Sequence, residues 1–531
     1  MSSFFRGGAL LFSSCVLMNC GANDSYDLAG AFGADDGKGD AAKSTKLVDD
    51  IALDSRVQGN FDPRVRVYGY LFEAKRGAKL KAALKASAGA DANGPADGAA
   101  LDTYLAVYGP YKSAQEPGQR LRESDDVGAS TAAGPIDLPV EQDGKYLLAF
   151  TSFEDTGKGK YELSLECDGT DLQCRRPEWD SPCKPGTVYI QGATIDADTT
   201  WDSCETVLLE NATVAEGKTL TIRPGVSVKG NFIGTAPFGS VQLVVNGTLQ
   251  AAGTKENPVA FTAYKDGFGW GGLSLVGPSH SISHAYIEKA NVAVTLANKT
   301  TATLSDIVLE GTTLQGAMPT AGVFGGADAR ATFDRALVKG FQTGLHLGNS
   351  EFIHVEDSVV RANSIGVRVD GESPSNSCSA NPPAPPRWRD PVFLHSDIVE
   401  NTNGGVLING SDVLIQIEAS NIIKNGAYGI QIVGRNLNPM SFVRSNNIHG
   451  NAAAGTAQVL SYHWAGGGVL DISNNYWSAV SDPELSASWL MACNGQRTST
   501  GFSPSPISTA GPRVEKLTDP VKQQTWQQQQ H

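Results

Sequence analysis

The sequence predicts an all-β protein in two parts, a short block of alternating strands and then a long coiled repeat. Three observations lead there. Glycine is abundant (59 of 531 residues) and charged residues make up only 18%, which suits turn-rich β structure. Residues 65–74, 101–110 and 144–152 alternate apolar or aromatic side chains with other residues, the pattern of half-buried strands. Beyond about residue 184, short apolar pairs follow glycine again and again, as in "NIIKNGAYGIQI" at 421–432. A chain of this length exceeds one compact core, so several domains or an elongated array are expected.

The first twenty residues read as an export signal. Arg6 supplies a positive charge, residues 9–18 are mostly apolar, and the run ends "LMNC" at Cys20. That ending resembles the lipobox of bacterial lipoproteins, with Leu17 three residues before the Cys, although Asn19 departs from the usual small residue. The resemblance implies that Cys20 is acylated and becomes the mature N-terminus; Cys15 and a simply cleaved signal are the alternatives. Residues 21–44 are small and acidic and form a flexible tether. No apolar run of membrane-spanning length follows, so membrane attachment is expected through the lipid alone, with the protein exported to the outer membrane or cell surface. The formal net charge of −14 argues against a nucleic-acid partner.

Six further cysteines follow: Cys167, Cys174, Cys183, Cys204, Cys378 and Cys493. In an exported chain an even number favours disulfides, here Cys167–Cys174, Cys183–Cys204 and a long-range Cys378–Cys493. No C-x-x-C pair or neighbouring His cluster suggests a metal site.

Residues 45–166 hold the alternating block. "YGYLFEAKRGAKL", "LDTYLAVYG" and "DGKYLLAFTSFEDTGKGKYELSL", in that order, resemble the bacterial pre-peptidase C-terminal domain. The resemblance implies a small, non-catalytic β-sandwich. Tyr161, Leu163 and Leu165 should share its inner face. Residues 167–183 are a Cys-containing linker.

From 184 to 512 one phrase recurs: "GLHL" at 344, "GVRV" at 366, "GVLI" at 405 and "GIQI" at 429, spaced 22, 39 and 24 apart. Ser358 and Asn363 precede the second glycine, Ser396 and Asn401 the third, and Ser420 and Asn425 the fourth. Periods in the low twenties mark a solenoid. Strands this short and this rich in Val and Ile suit a parallel β-helix, with about 4.8 Å between coils. Asn and Gly are expected to take left-handed conformations at its corners, and Asn side chains to stack there. "TLTIRPGVSVKG" (219–230), "LVVNGTLQAAGTKENPVAFTAY" (243–264), "WGGLSL" (270–275) and "SNNYW" (473–477) resemble segments of bacterial right-handed parallel β-helix proteins of the pectate-lyase-like type. The fold class is therefore all-β, a right-handed parallel β-helix preceded by a small β-sandwich. Residues 513–531 are a low-complexity tail.

The resemblance makes polysaccharide lyase or glycoside hydrolase chemistry the enzymatic alternative, with calcium the ion such lyases use and otherwise no cofactor. The densest outward polar group is Arg368, Asp370, His395 and Asp397, with Glu400 close by. The eight histidines are scattered; His280 and His284 lie four apart on a strand, too far to chelate. The Pro-rich insert at 373–391 carries Trp388 between Arg387 and Arg389 and is the expected recognition loop for a cell-surface polysaccharide, while Cys378 would pin it. Trp270, Tyr428, Tyr462 and Trp464 are further outward aromatic candidates. The expected role is a monomeric, surface-anchored lipoprotein with a structural, adhesive or polysaccharide-binding function.

Overall fold

The computed structural model describes residues 44–510 apart from 63–64, 89–100, 114–115, 128–129, 153–158, 168–181, 349–351, 372–389, 410–412, 434–440, 452–458, 463–468, 478–495 and 499–506. Among the described residues all the regular elements are strands, and no helix is long and apolar enough to cross a membrane. The expectations at Cys20, Cys174, Cys378, Cys493, Arg387, Trp388, Arg389 and Trp464 lie outside the described residues.

The chain is all-β, a small β-sandwich followed by a right-handed parallel β-helix. In the sandwich, Gly144–Ser152 pairs antiparallel with Val65–Ala74 on one side and Thr103–Gly109 on the other. The facing sheet centres on Gly159–Cys167, between Ser55–Asn60 and Lys79–Ala88. Tyr161, Leu163 and Leu165 point inward as their alternation predicts, among Tyr68, Tyr70, Phe72 and Phe150. The buried Tyr70 and Tyr161 hydroxyls share a 2.9 Å hydrogen bond, which meets the need of a phenol removed from water. Strand Gly144–Ser152 departs from the half-buried expectation. Its outer side chains Leu147 and Ala149 are also buried, packed with Val67, Leu71, Ala106 and Tyr108.

One coil of the β-helix runs through Thr343–Leu347 on the first sheet, Phe352–Glu356 on the second and Val359–Arg361 on the third, then re-enters the first sheet at Ile365–Asp370. Successive coils pair parallel and in register. On the first sheet Leu345, Val367, Val406 and Ile430 form one inward column. On the third, Val360, Ile398, Ile422 and Ile448 form another. These side chains belong to one continuous buried core running the length of the described β-helix.

The corners bear out the sequence expectation in part: Gly340, Gly450 and Asn474 are left-handed there, with φ of 85°, 64° and 56°, but the repeated Asn of the ladder is not. The left-handed residue is not the repeated Ser or Asn but the one before it: Asp357, Ala362, His395, Glu400, Ala419 and Lys424, with φ between 47° and 57°. The Ser and Asn that follow are fully buried and extend along the coil axis. Asn363 Oδ1 accepts from the Phe341 N–H at 3.0 Å, Asn401 Oδ1 from the Asn363 N–H at 3.1 Å, and Asn425 Oδ1 from the Asn401 N–H at 3.1 Å. A parallel ladder runs through Ser358, Ser396 and Ser420. A left-handed L-residue costs about 1–2 kcal/mol. Here it turns the chain so that the next side chain satisfies a corner N–H that no sheet would reach.

The repeated glycines have a packing role. A Cβ on Gly366 would sit 2.7 Å from Asn401 Nδ2 and 2.7 Å from the Gly405 carbonyl; one on Gly405 would sit 2.4 Å from the Gly429 carbonyl and 2.9 Å from Asn425 Nδ2. The glycine is what lets the Asn ladder lie against the adjoining strand.

Cys183 and Cys204 form a disulfide that clamps the first coil to the next. Cys167 is also disulfide-bonded.

Candidate functional site

The third letter of each repeated phrase points outward. On the first sheet this stacks Phe324, His346, Arg368, Leu407 and Gln431 in one register column. Two pairing positions further, on the same outward side, Asp370 lies beside Asn409. Around Asp370 the contacts close into a cluster. Arg368 Nε donates to both carboxylate oxygens at 3.0 Å, His346 Nε2 lies 2.7 Å from Oδ2, and Asn409 Nδ2 donates to Oδ1 at 3.1 Å. Burial raises the Asp370 pKa, but the hydrogen bonds from His346, Arg368 and Asn409 outweigh it and bring it down to about 2. Phe324, 39% exposed, meets the His346 ring edge-on with centroids 5.0 Å apart.

The four residues grouped by sequence do not form one site. Arg368 and Asp370 are together on the first sheet. His395 is the left-handed corner residue between the second and third sheets, and its Nδ1 is buried without a hydrogen-bond partner among the described residues. Asp397 is on the third sheet, where it accepts from Asn421 Nδ2 at 2.7 Å; burial pushes its pKa up against that bond. Glu400 is a corner residue as well. Linear neighbours separate because the chain turns twice between residues 394 and 401, and each corner sends the next side chains to a different face.

Two residues that do complete the cluster, His346 and Asn409, come from the coils on either side of Arg368. Stacking the third letters of "GLHL" and "GVRV" is the sequence signal that would have joined His346 to Arg368. The insert leaves the first sheet just after Asp370 and rejoins the second at Asp390, so the cluster stands at its root. Across that corner, Phe352 is 38% exposed and stacks on His354 at 6.2 Å. On the same sheet the Arg444 guanidinium lies 4.2 Å over the Phe442 ring. Of the outward aromatic candidates, Trp270 is fully buried, its Nε1–H bonded to the Glu288 carbonyl at 2.9 Å, because Gly230 leaves space for the ring. Tyr428 is also buried, against Gly404.

Other outward carboxylates are neutralised across coils. Asp306 takes a two-pronged contact from Arg335 at 2.7 and 2.8 Å, Glu418 is 3.0 Å from Arg444, and Glu205 is 3.0 Å from Lys229. His284 is 3.8 Å from Asp306, while His280 is buried and accepts from the Leu249 N–H at 3.3 Å. Among the described residues no three His, Cys, Asp or Glu side chains are grouped to hold a metal ion.

Fold and site together define an all-β protein whose parallel β-helix carries an ordered polar and aromatic column on one outer sheet. Residues 192–297 match the family described as Pectate-lyase like beta helix domain. No curated protein matches the chain significantly. Among solved structures, the pre-peptidase C-terminal domain of collagenase from Bacillus anthracis is 13% identical, with 23% of this chain and 98% of that one covered and a TM-score of 0.17. PliG of Aeromonas hydrophila, a periplasmic inhibitor of g-type lysozyme, is 12% identical over 23% of this chain and 98% of its own, with a TM-score of 0.15. The catalytic domain of a GH87 alpha-1,3-glucanase variant in complex with nigerose is 12% identical over 81% of this chain and 91% of its own, with a TM-score of 0.19.

Proposed function

We propose that this chain is an exported, lipid-anchored surface protein whose β-helix binds polysaccharide without cleaving it. One observation carries the reading: Phe324, His346, Arg368, Asp370 and Asn409 form a pre-ordered outward strip whose acid is fully engaged by hydrogen-bond donors. An aromatic face beside fixed polar groups suits a sugar ring, which offers an apolar face and a rim of hydroxyls. A carboxyl with a pKa near 2 is a poor proton donor at neutral pH and a weak base, so the strip fits recognition better than proton transfer. The name of the family matched by residues 192–297 also points toward carbohydrate. Anchoring through Cys20 and the tether would hold the strip outside the cell, with Trp388, Arg387 and Arg389 on the insert completing the ligand contact.

The test is affinity electrophoresis through a panel of neutral and acidic polysaccharides, run beside an assay for reducing and unsaturated ends. Retardation by at least one glycan, reduced about tenfold or more in Phe324→Ala, with no ends released, supports binding. End release that disappears in Asp370→Ala overturns the non-enzymatic reading in favour of a lyase or hydrolase.

A further inference from the structure

A parallel β-helix begins on an open edge, where the first strand of each sheet presents unpaired N–H and C=O groups that can recruit another chain. On the third sheet that strand is Lys184–Gln191. It is not open here. Sandwich strand Ser55–Asn60 pairs with it in parallel, from Thr187 opposite Ser55 to Gln191 opposite Gly59. On its other side the same strand pairs antiparallel with Gly159–Cys167. One strand thus belongs to the sandwich and to the β-helix at once.

Side chains follow the backbone. Tyr189, Val207 and Leu209 turn away from the β-helix core and are buried in the sandwich cluster, with Tyr264 packed against it. Tyr189 Oη accepts from the Ala52 N–H at 3.0 Å. Around this apolar contact, Asn231 Nδ2 donates to Asp49 at 3.1 Å, Lys265 is 3.2 Å from Asp49, and Lys46–Glu210 and Lys160–Asp196 form ion pairs. The opening strands of the other two sheets, Thr194–Ile195 and Thr199–Trp201, are only 2 and 3 residues long. Both border a crevice of about 350 Å³ whose other wall includes Gln58, Lys85 and Lys160 of the sandwich.

We propose that the sandwich is the N-terminal cap of the β-helix, and that opening this contact lets the first coil pair with a second copy of the chain. The cap works through backbone pairing and the Tyr189–Val207–Leu209 contact. Of its ion pairs, Lys160–Asp196 is exposed and adds little at physiological salt, while Lys46–Glu210 and Lys265–Asp49 are partly buried.

The test uses the full chain carrying Val207→Asp, which places a charge in the contact and leaves the β-helix core untouched. The wild-type protein should unfold in one thermal transition and sediment as a monomer. The variant should unfold in two, the first roughly 10 °C lower, and should form oligomers that increase with concentration. A single unchanged transition, or two transitions with the chain still monomeric, overturns the proposal. If Val207→Asp does not fold, hydrogen exchange on the wild-type protein decides. The hydrogen-bonded amides of 187–191 and 55–60 should exchange in the same slow class; fast, edge-like exchange at 187–191 overturns the cap.

Discussion

Replacing Asn401 by Ala tests the corner ladder most directly. The Asn401 side chain is fully buried and makes four hydrogen bonds. Its Oδ1 accepts from the Asn363 N–H and from Asn363 Nδ2, both at 3.1 Å. Its Nδ2 donates to the Val360 carbonyl at 3.2 Å and to Asn425 Oδ1 at 2.8 Å. Truncation leaves some of these groups with other partners: Asn363 Nδ2 keeps the Val338 and Arg361 carbonyls, and Asn425 Oδ1 keeps the Asn401 N–H. The Asn363 N–H, however, loses its acceptor. An orphaned buried donor costs about 1–3 kcal/mol, and the remaining lost bonds add roughly 1 kcal/mol. We expect a loss of about 3 kcal/mol, read as a lower midpoint in urea unfolding followed by far-UV circular dichroism. Asn403→Ala is the matched control, since that side chain is exposed and, among the described residues, bonds only Ser364 Oγ, at 2.6 Å; it should change stability by less than about 0.5 kcal/mol. Equal effects from the two substitutions would refute the ladder as a source of stability.

Gly366→Ala should cost about 3 kcal/mol or prevent folding, because its Cβ would meet backbone and ladder atoms at 2.7 Å; a soluble variant with unchanged midpoint would contradict the packing role. Asp370 has a folded pKa near 2, below the roughly 3.9 of an unfolded carboxylate, so its contribution is complete above about pH 4 and fades as pH falls toward 2. With its side chain 24% exposed, that contribution is at most about 2 kcal/mol. Asp370→Asn should flatten the acid limb of the stability curve between pH 4 and 2, and an unchanged limb would refute the assignment. Metabolic labelling with a fatty-acid probe should mark the wild-type protein and be lost in Cys20→Ala; label that survives the substitution places the lipid elsewhere, and a wild-type protein without label has none.

The sequence by itself determined the fold class, several strands to within a residue or two, and the inward columns of the β-helix. It did so because these depend on local periodicity: alternation in 65–74 and 157–166, and the short glycine-led phrase whose second and fourth letters always face the core. The Ser and Asn positions of the ladders were legible for the same reason. Tertiary structure decided the rest. Which residue turns left-handed at a corner depends on where the next Asn must reach, and that acceptor position exists only when two coils are stacked. His346 and Asn409 meet Asp370 across coil boundaries, whereas His395 and Asp397, close to each other in the chain, are sent to a corner and a different face. The burial of Trp270 depends on the absent side chain of Gly230, forty residues away. A one-dimensional pattern records which face a residue takes within its own strand. Contacts between coils, and between the sandwich and the first coil, are set by how loop lengths bring those strands into register.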